Sequence, residues 1–226
     1  MVNLGSPSPD ETNREEDPLA IQNRLRHDIR VAELMELGLM MVDGHFDYRN
    51  GYHGDSYLNP HVIMHDPAVF MRFTQELAQC IPGDVREQVE VVAGPITGGA
   101  LLGSFLAVAI DSARTFGPDR KVLFAPVHKQ DGELQLRRHY RTVIRGRRVL
   151  IADDVVNTGL TMTNLKSLVV RCGGTVIGTV SLFDRLATVV SLDHHWSLQE
   201  CADPKSKPVL ASECPFCRLG IPITQF

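Results

Sequence analysis

Apolar residues recur along the chain with two periods, one typical of strands and one typical of helices. Four apolar runs predict buried strands: Val89 to Ala93, Lys121 to Val127, Val149 to Ala152 and Thr175 to Phe183. A helical segment is predicted after the first run, at Gly98 to about Ala113, and another helical stripe follows the third. Strands that alternate with helices pair in parallel through right-handed crossovers, so the pattern predicts an α/β fold with a parallel sheet flanked by helices.

Composition divides the chain into a tail and one domain. Residues 1–16 are rich in Ser, Pro, Asn and Glu and are predicted to form a disordered acidic tail. The remainder, 17–226, is predicted to be a single domain. Within it we expect an N-terminal helix and hairpin at 17–66, the core sheet at 67–190, and an irregular C-terminal extension at 191–226.

Short local signals predict further elements. Helices are predicted to begin at Asp17-Pro18 and at Asp66-Pro67, because Asp caps a helix and Pro suits its first position. The glycine-rich and aromatic stretch 43–59 predicts a hairpin in the N-terminal region. Asp131-Gly132 favours a tight turn and predicts a second hairpin.

Charge and cysteine content exclude several classes of protein. The formal net charge is −4, but residues 1–17 contain five acids and one base, which leaves the rest of the chain balanced. That balance does not favour binding to nucleic acid or membranes. No apolar segment is long enough to span a bilayer, and a signal peptide's basic and apolar regions are missing. Five cysteines form no even disulfide set, so a reducing cytoplasm is the expected location.

A buried strand delivers two adjacent carboxylates to a turn of small and hydroxyl residues. Asp153 and Asp154 follow the apolar run and lie at its carboxyl end, where open α/β sheets bind ligands. Asn157-Thr158-Gly159-Leu160-Thr161 then supplies backbone N–H groups, two hydroxyls and a glycine at the start of a helix. Helix N-termini attract phosphate, so the segment predicts a site for a phosphorylated sugar. The alternative, a strand-turn-helix with an Asp cap, needs only one carboxylate.

This segment resembles the signature of the type I phosphoribosyltransferases, an apolar strand followed by two acidic residues, two apolar residues and Thr-Thr-Gly-x-Thr. The match breaks only at Asn157, in place of the first Thr. The resemblance implies that the protein binds phosphoribosyl pyrophosphate (PRPP), with Asp153 and Asp154 on the ribose hydroxyls and Asn157 to Thr161 around the 5′-phosphate. It also implies the family's parallel sheet with a small N-terminal hood, and Mg²⁺ held largely by substrate oxygens.

Two further segments are similar to orotate phosphoribosyltransferases in particular. Phe46 to Asn59 resembles their Phe-x-Leu-Lys-Ser-Gly-x-x-Ser-x-x-Tyr segment, with Arg49 in place of Lys. The resemblance implies that Arg49 contacts pyrophosphate and that Tyr57 contacts the base. An Asp-Arg pair after the strand Thr175 to Phe183 supplies Arg185, whose guanidinium fork suits the carboxylate of orotate. A surface hairpin and a surface ion pair are the alternatives for these segments.

Two loops resemble the parts of the family that act on pyrophosphate. Gly94-Pro95-Ile96-Thr97-Gly98-Gly99 joins a strand to a helix, as the family's pyrophosphate loop does. In the orotate enzymes a mobile loop with Arg-Lys, then Lys and His, closes the site; here His128-Lys129 stands for the first pair, and Arg137, Arg138 and His139 are substitutes by charge and position. The expected pyrophosphate contacts are Arg49, Thr97, Gly98, Gly99, His128 and Lys129. The expected catalytic residues are Lys129, Arg137, Arg138, Asp153 and Asp154.

The implied reaction joins PRPP and orotate to give orotidine 5′-monophosphate and pyrophosphate. A homodimer is implied as well, because the mobile loop of this family often completes the partner subunit's site. Two alternatives stay open: transfer to another base, and a PRPP-binding regulator in which the altered loop no longer supports catalysis. No binding of nucleic acid or membranes is expected.

The pair Cys214 and Cys217 has the spacing of half a zinc site. A complete site needs two more ligands, and the nearby Cys201, His194 and His195 fit no standard spacing. A plain C-terminal turn is therefore the favoured interpretation, with a zinc or redox interaction module as the alternative. No metal-ligating side chain is predicted.

Overall fold

The computed structural model describes residues 30–48, 51–96, 98–113, 121–130, 132–185, 192–200 and 209–225. Within them the helices are α1 (30–36), α2 (His61–Met64), α3 (Pro67–Cys80), α4 (Gly83–Gln88), α5 (Gly98–Ser112), α6 (Arg138–Ile144), α7 (Leu160–Arg171) and α8 (Pro215–Arg218). The strands are β1 (Met40–Met41), β2 (Phe46–Asp47), β3 (Tyr52–Gly54), β4 (Tyr57–Leu58), β5 (Val91–Pro95), β6 (Leu123–Gln130), β7 (Glu133–Gln135), β8 (Arg148–Val156), β9 (Thr175–Asp184), β10 (His195–Glu200) and β11 (Val209–Leu210).

A six-stranded sheet forms the centre of the fold, in the order β10-β9-β8-β5-β6-β7. All neighbouring strands in it are parallel except β7, which returns antiparallel to β6. Strands β6 and β7 form the predicted second hairpin, since Gln130 pairs with Glu133. Asp131, the first residue of the predicted turn, lies outside the described residues. The predicted α/β fold class is confirmed.

Strand β8 is buried on both faces, which explains its unbroken apolar run. Leu150 and Ala152 pack into the cluster formed with α3 and α5, while Val149 and Ile151 pack into the cluster formed with α7. All four side chains are fully buried. Burial of both faces is what a central parallel strand requires, and it fixes where the strand's polar carboxyl end emerges.

Helix α3 begins as the sequence predicts. The Asp66 carboxylate accepts hydrogen bonds from Ala68 N (2.9 Å) and Val69 N (3.2 Å), with Pro67 as the first helical residue. Asp17-Pro18 lies outside the described residues, as does the predicted tail at 1–16.

A small hood is made of five short strands, β1 to β4 and β11. The first four precede the core sheet in the sequence, and β11 follows it. Strands β2 and β3 form the predicted hairpin, with Phe46 opposite Gly54 and Asp47 opposite His53. Strand β11 adds to the other edge of β3, so that a C-terminal segment completes the hood sheet. Strands β1 and β4 form a separate antiparallel pair.

The predicted end of the core sheet at residue 190 is wrong, because β10 belongs to that sheet. Strand β10 pairs in parallel with β9, with His195 opposite Thr179. The His195 ring lies between two hydroxyls of β9, with Nδ1 2.8 Å from Thr179 Oγ1 and Nε2 3.2 Å from Ser181 Oγ. The C-terminal region is therefore more regular than its composition predicts. Among the described residues, no helix has the length and apolar content needed to cross a membrane.

Candidate active site

The two adjacent carboxylates, Asp153 and Asp154, lie near the carboxyl end of β8. Asp153 is 9% exposed, and its Oδ1 accepts a hydrogen bond from Asp154 N (3.1 Å). Asp154 Oδ1 accepts from Val155 N (2.9 Å), which fixes that carboxylate in place. Burial, and then the neighbouring Asp154 charge, raise the pKa of Asp153 well above its usual range. A buried acidic pair of this kind favours ligands that donate hydrogen bonds or bring positive charge.

The glycine-rich turn before α5 packs directly on these carboxylates. A methyl group on Gly98 would overlap the Asp154 carboxylate, and one on Gly99 would lie 2.8 Å from Asp153 Oδ1. Gly94 is equally confined, since an added methyl would lie 2.7 Å from the carbonyl oxygen of Ala152. The two predicted ligand loops are thus in contact, and only glycine fits between them. Thr97 lies outside the described residues.

The turn from β8 into α7 borders a cavity. Gly159 precedes the helix in the left-handed conformation (φ 77°) that glycine adopts readily. The cavity has a volume of about 180 Å³ and is lined by Tyr48, Asp153, Val155, Val156, Asn157, Thr158, Gly159, Thr161 and Met162. Within the described part of the chain, the buried Asn157 Oδ1 has no hydrogen-bond partner. Of the predicted phosphate-loop residues, only Leu160 is outside the lining, and its side chain is half exposed.

Arg185 extends from the end of β9 toward the hood. Its guanidinium carbon lies 4.2 Å from the ring centre of Tyr48 and 5.3 Å from that of Tyr57. The Tyr48 hydroxyl donates to the Ser56 carbonyl (2.7 Å). Burial raises the pKa of Tyr48, and the charge of Arg185 opposes that rise. Tyr48 also lines the cavity. Its ring therefore lies between the cavity and Arg185, which also contacts Tyr57.

The neighbouring Asp184 has a different environment. It is 6% exposed, and its Oδ2 lies 3.5 Å from His195 Nε2. The pair Asp184-Arg185 is therefore no surface ion pair, and the alternative interpretation of this segment is wrong.

The predicted catalytic cations lie along the β6–β7 hairpin and the start of α6. Val127 pairs with Pro95, and Ile96 N donates to the Val127 carbonyl (2.8 Å), so His128 and Lys129 extend β6 past the end of β5, beside the glycine-rich turn. There they pair with β7. Lys129, Arg137 and Arg138 are exposed. Within the described residues, none of these side chains is among those that line the cavity. Arg49 lies outside the described residues.

Two residues near the site are absent from the sequence-based assignment. His61, on α2, has Nε2 3.9 Å from Asp154 Oδ2. Tyr48 lines the cavity although only Tyr57 is predicted to contact the base. Tyr48 falls within the hood segment similar to the orotate enzymes, so a signal for it was present, whereas nothing in the sequence around His61 points to the acidic pair.

Comparisons with known proteins agree with this geometry. The model of the phosphoribosyl transferase domain matches residues 63–210. The orotate phosphoribosyltransferase of Caldanaerobacter subterraneus subsp. tengcongensis is 32% identical over 196 residues, which cover 87% of this chain and 95% of the relative. That of Erythrobacter litoralis is 35% identical over 147 residues, covering 65% of this chain and 70% of the relative.

A similar fold is found among solved structures. The crystal structure of orotate phosphoribosyltransferase from Aeropyrum pernix superposes with a TM-score of 0.58 at 19% identity, covering 75% of this chain and 92% of that one. Another, of the Mycobacterium tuberculosis orotate phosphoribosyltransferase in complex with Fe(III) dicitrate, gives a TM-score of 0.51 at 21% identity, over 76% and 97% of the two chains.

Proposed function

Since the chain belongs to the phosphoribosyl transferase domain family, we propose that it transfers the phosphoribosyl group of PRPP to orotate, which yields orotidine 5′-monophosphate and pyrophosphate. The observation that most supports orotate is the position of Arg185. It stacks on Tyr48, which lines the same cavity as Asp153 and the phosphate-type turn. A base held by Arg185 is therefore adjacent to a sugar phosphate held by that turn.

Each loop has a distinct part in this proposal. Asp153 and Asp154 accept hydrogen bonds from the ribose hydroxyls, and the N–H groups at the start of α7 bind the 5′-phosphate. Gly98 and Gly99 let the start of α5 approach the pyrophosphate. As the C1–oxygen bond breaks, the ribose becomes cationic and negative charge builds on the leaving pyrophosphate. The protein then acts mainly by positioning the reactants and stabilising that charge, with Lys129 and the arginines that follow β7 as its cations.

The acidic pair also fits a Mg²⁺-dependent reaction. Its burial and mutual repulsion, which hold the Asp153 pKa high, favour a site that receives positive charge together with the substrate. Mg²⁺ would be held mainly by PRPP oxygens, while Asp153 and Asp154 would hold the ribose hydroxyls. Once bound, the ion would supply charge that neutralises the leaving pyrophosphate.

Selection of the base rests on the Arg185 guanidinium. A guanidinium fork pairs bidentately with a carboxylate, which orotate has and uracil, adenine and hypoxanthine lack. When a base without a carboxylate is bound in the closed site, the guanidinium loses contact with water and gains no carboxylate in return, which weakens the binding of that base. We therefore expect discrimination of roughly 10⁴ in favour of orotate.

The test is a panel of bases with PRPP and Mg²⁺, in which pyrophosphate release is followed for wild type and for Arg185→Ala. Orotate should be the preferred base of wild type, and Arg185→Ala should lose most of that preference while its PRPP affinity stays near that of wild type. Arg171→Ala, an exposed arginine at the end of α7, is the matched control and should behave as wild type. Preference for a purine would contradict the choice of orotate. PRPP binding without turnover of any base would favour a regulator.

We further propose a cytoplasmic homodimer with shared active sites. No disulfide joins any of the described cysteines, which supports a reducing compartment. Lys129 is exposed and is not among the residues that line the cavity of its own chain, which supports a role in the site of a second copy. Mixing Lys129→Ala with Asp154→Asn, each strongly impaired by itself, should then restore up to about a quarter of wild-type activity, through the one intact site of each mixed dimer. A mixture that stays inactive after subunit exchange is demonstrated would contradict shared sites.

A further inference from the structure

Four metal-binding side chains meet between the hood and the C-terminal segment. They are His45, His53, Cys214 and Cys217, and one ligand atom of each lies within 4.8 Å of every other. Cys214 is fully buried, His45 is 2% exposed and His53 is 8% exposed. Cys217 closes the group at the surface. The predicted plain C-terminal turn did not include these contacts with the hood. Of the nearby residues whose spacing fits no standard zinc site, His195 lies in the core sheet, and Cys201 lies outside the described residues.

The polar neighbours of His45 and His53 favour tautomers whose two lone pairs face each other. His45 Nδ1 lies 2.7 Å from the Ile221 carbonyl oxygen, which only accepts, so Nδ1 carries the proton and Nε2 is a lone pair. His53 Nε2 lies 3.8 Å from the Asp47 carboxylate, which favours the proton on that nitrogen and leaves Nδ1 as a lone pair. His45 Nε2 and His53 Nδ1 are only 2.9 Å apart. Two lone pairs at that distance repel each other unless a cation lies beside them.

The two thiols lie at sulfur–nitrogen distances that fit a tetrahedral zinc site. Cys214 Sγ is 3.5 Å from His45 Nε2, and Cys217 Sγ is 3.6 Å from His45 Nε2 and 3.3 Å from His53 Nδ1. Zinc bonds of about 2.3 Å to sulfur and about 2.0 Å to nitrogen place sulfur and nitrogen about 3.5 Å apart at a tetrahedral centre. The observed separations are close to that value.

We propose that His45, His53, Cys214 and Cys217 bind one zinc ion as a closed structural site. Two thiolates and two imidazoles in tetrahedral geometry select zinc among the common metals. The Ile221 carbonyl and the Asp47 carboxylate act as the outer partners that orient the two histidines, as is usual for metal-bound imidazoles. Four protein ligands leave no open coordination position, so the ion has no part in the transfer reaction.

The site joins parts of the chain that are far apart in sequence. His45 and His53 lie on or beside the hood strands β2 and β3, while both cysteines flank or belong to α8. Thr224 adds backbone contacts on the same side, since its N–H donates to the His45 carbonyl (2.6 Å). Zinc would therefore fasten the C-terminal segment to the hood hairpin that presents Tyr48.

The experiment measures metal directly and needs neither PRPP nor a base, so its outcome is independent of the proposed reaction. Full-length protein from zinc-supplemented cultures, purified without chelators, should contain about one zinc per chain by mass spectrometry of the metal. After exchange with Co²⁺, absorption should show tetrahedral visible bands and thiolate-to-cobalt charge transfer. Cys217→Ser and His53→Ala should each bind zinc at least tenfold more weakly than wild type.

Cys172→Ser is the matched control, because this half-buried thiol lies at the end of α7, outside the cluster. It should keep full zinc content. If the ligand variants fail to fold, zinc release from wild type during titration of its thiols with a mercurial gives the same answer. Wild type without zinc and without a cobalt charge-transfer band would overturn the proposal. So would a Cys214–Cys217 disulfide, detected as a mass lower by two hydrogens in protein purified under reducing conditions.

Discussion

Replacing Gly98 with alanine tests whether the glycine-rich turn and the acidic pair form one PRPP site. The added methyl group would occupy the space of the Asp154 carboxylate. That carboxylate does not simply rotate away, because its other oxygen accepts the hydrogen bond from Val155 N (2.9 Å). The start of α5 is confined as well, since Gly99 packs on Asp153 and Pro95. Either the carboxylate or the helix start must therefore move.

The loss of PRPP affinity or of stability depends on whether the carboxylate or the helix start moves. Overpacking of this kind costs about 1–3 kcal/mol, and losing a hydrogen bond to a charged group costs about 1.5–3 kcal/mol. If most of this cost falls on the carboxylate that meets the ribose, PRPP affinity drops about 10- to 100-fold, equivalent to about 1.4–2.8 kcal/mol. If it falls on the fold instead, the melting temperature drops by about 2–4 °C for each kcal/mol in a chain of this length.

The assay is calorimetric titration of PRPP with Mg²⁺ in the absence of base, together with a thermal melt. Gly83→Ala is the matched control, because Gly83 starts a helix too and an added methyl group there meets nothing within 4 Å. It should keep wild-type affinity and stability. Wild-type PRPP affinity in Gly98→Ala would refute the assignment of this turn to the PRPP site.

Three further perturbations have expected outcomes. Because the folded state holds a proton on Asp153 more tightly than the unfolded state does, the stability of the ligand-free protein should fall as pH rises from the ordinary carboxyl range through the raised pKa. Asp153→Asn should remove this slope in urea denaturation and raise stability at neutral pH; an unchanged slope would contradict the burial argument. Lys129→Ala, and the double replacement of Arg137 and Arg138 by alanine, should each lower kcat about a hundredfold, or roughly 3 kcal/mol, in steady-state assays; unchanged turnover would indicate a static hairpin. Stripping zinc with a chelator should lower the melting temperature by several degrees, since a ligand at a thousand times its Kd stabilises the fold by about 4 kcal/mol; an unchanged melt would argue against a structural ion.

The sequence predicts best where neighbouring residues form both the element and the site. The segment from β8 into α7 is of this kind, because one continuous stretch supplies the buried strand, the two carboxylates and the turn. Its predicted order, apolar run then acids then helix, is confirmed, but the strand continues through the acids to Val156. The glycine-rich turn was also located, although its contact with the carboxylates is a tertiary property that no local pattern contains.

Long-range convergence explains what the sequence did not predict. Cys214 and His45 are 169 positions apart, so a search for zinc ligands near the Cys-x-x-Cys pair does not reach the hood. The sequence does not predict strand β10, because β9, its partner among the described strands, lies on the far side of a connecting segment and the first residue of β10 is polar. Asp184 and Arg185 were treated as a pair although their environments differ: one lies beside His195 and the other beside two tyrosines.

The hydrogen bonds of His195 bear on how the last strand of the core sheet finds its place. Among the described strands, β10 is at one end of the strand order and pairs with β9 alone. A strand in that position can shift by one residue, which turns each side chain to the opposite face. Such a shift would separate the His195 ring from the hydroxyls of Thr179 and Ser181, and each buried polar group left without a partner costs about 1–3 kcal/mol. The main effect of these bonds is therefore to raise the free energy of a misaligned β9–β10 pairing, more than to lower that of the correct one. They give the edge strand a single alignment during folding.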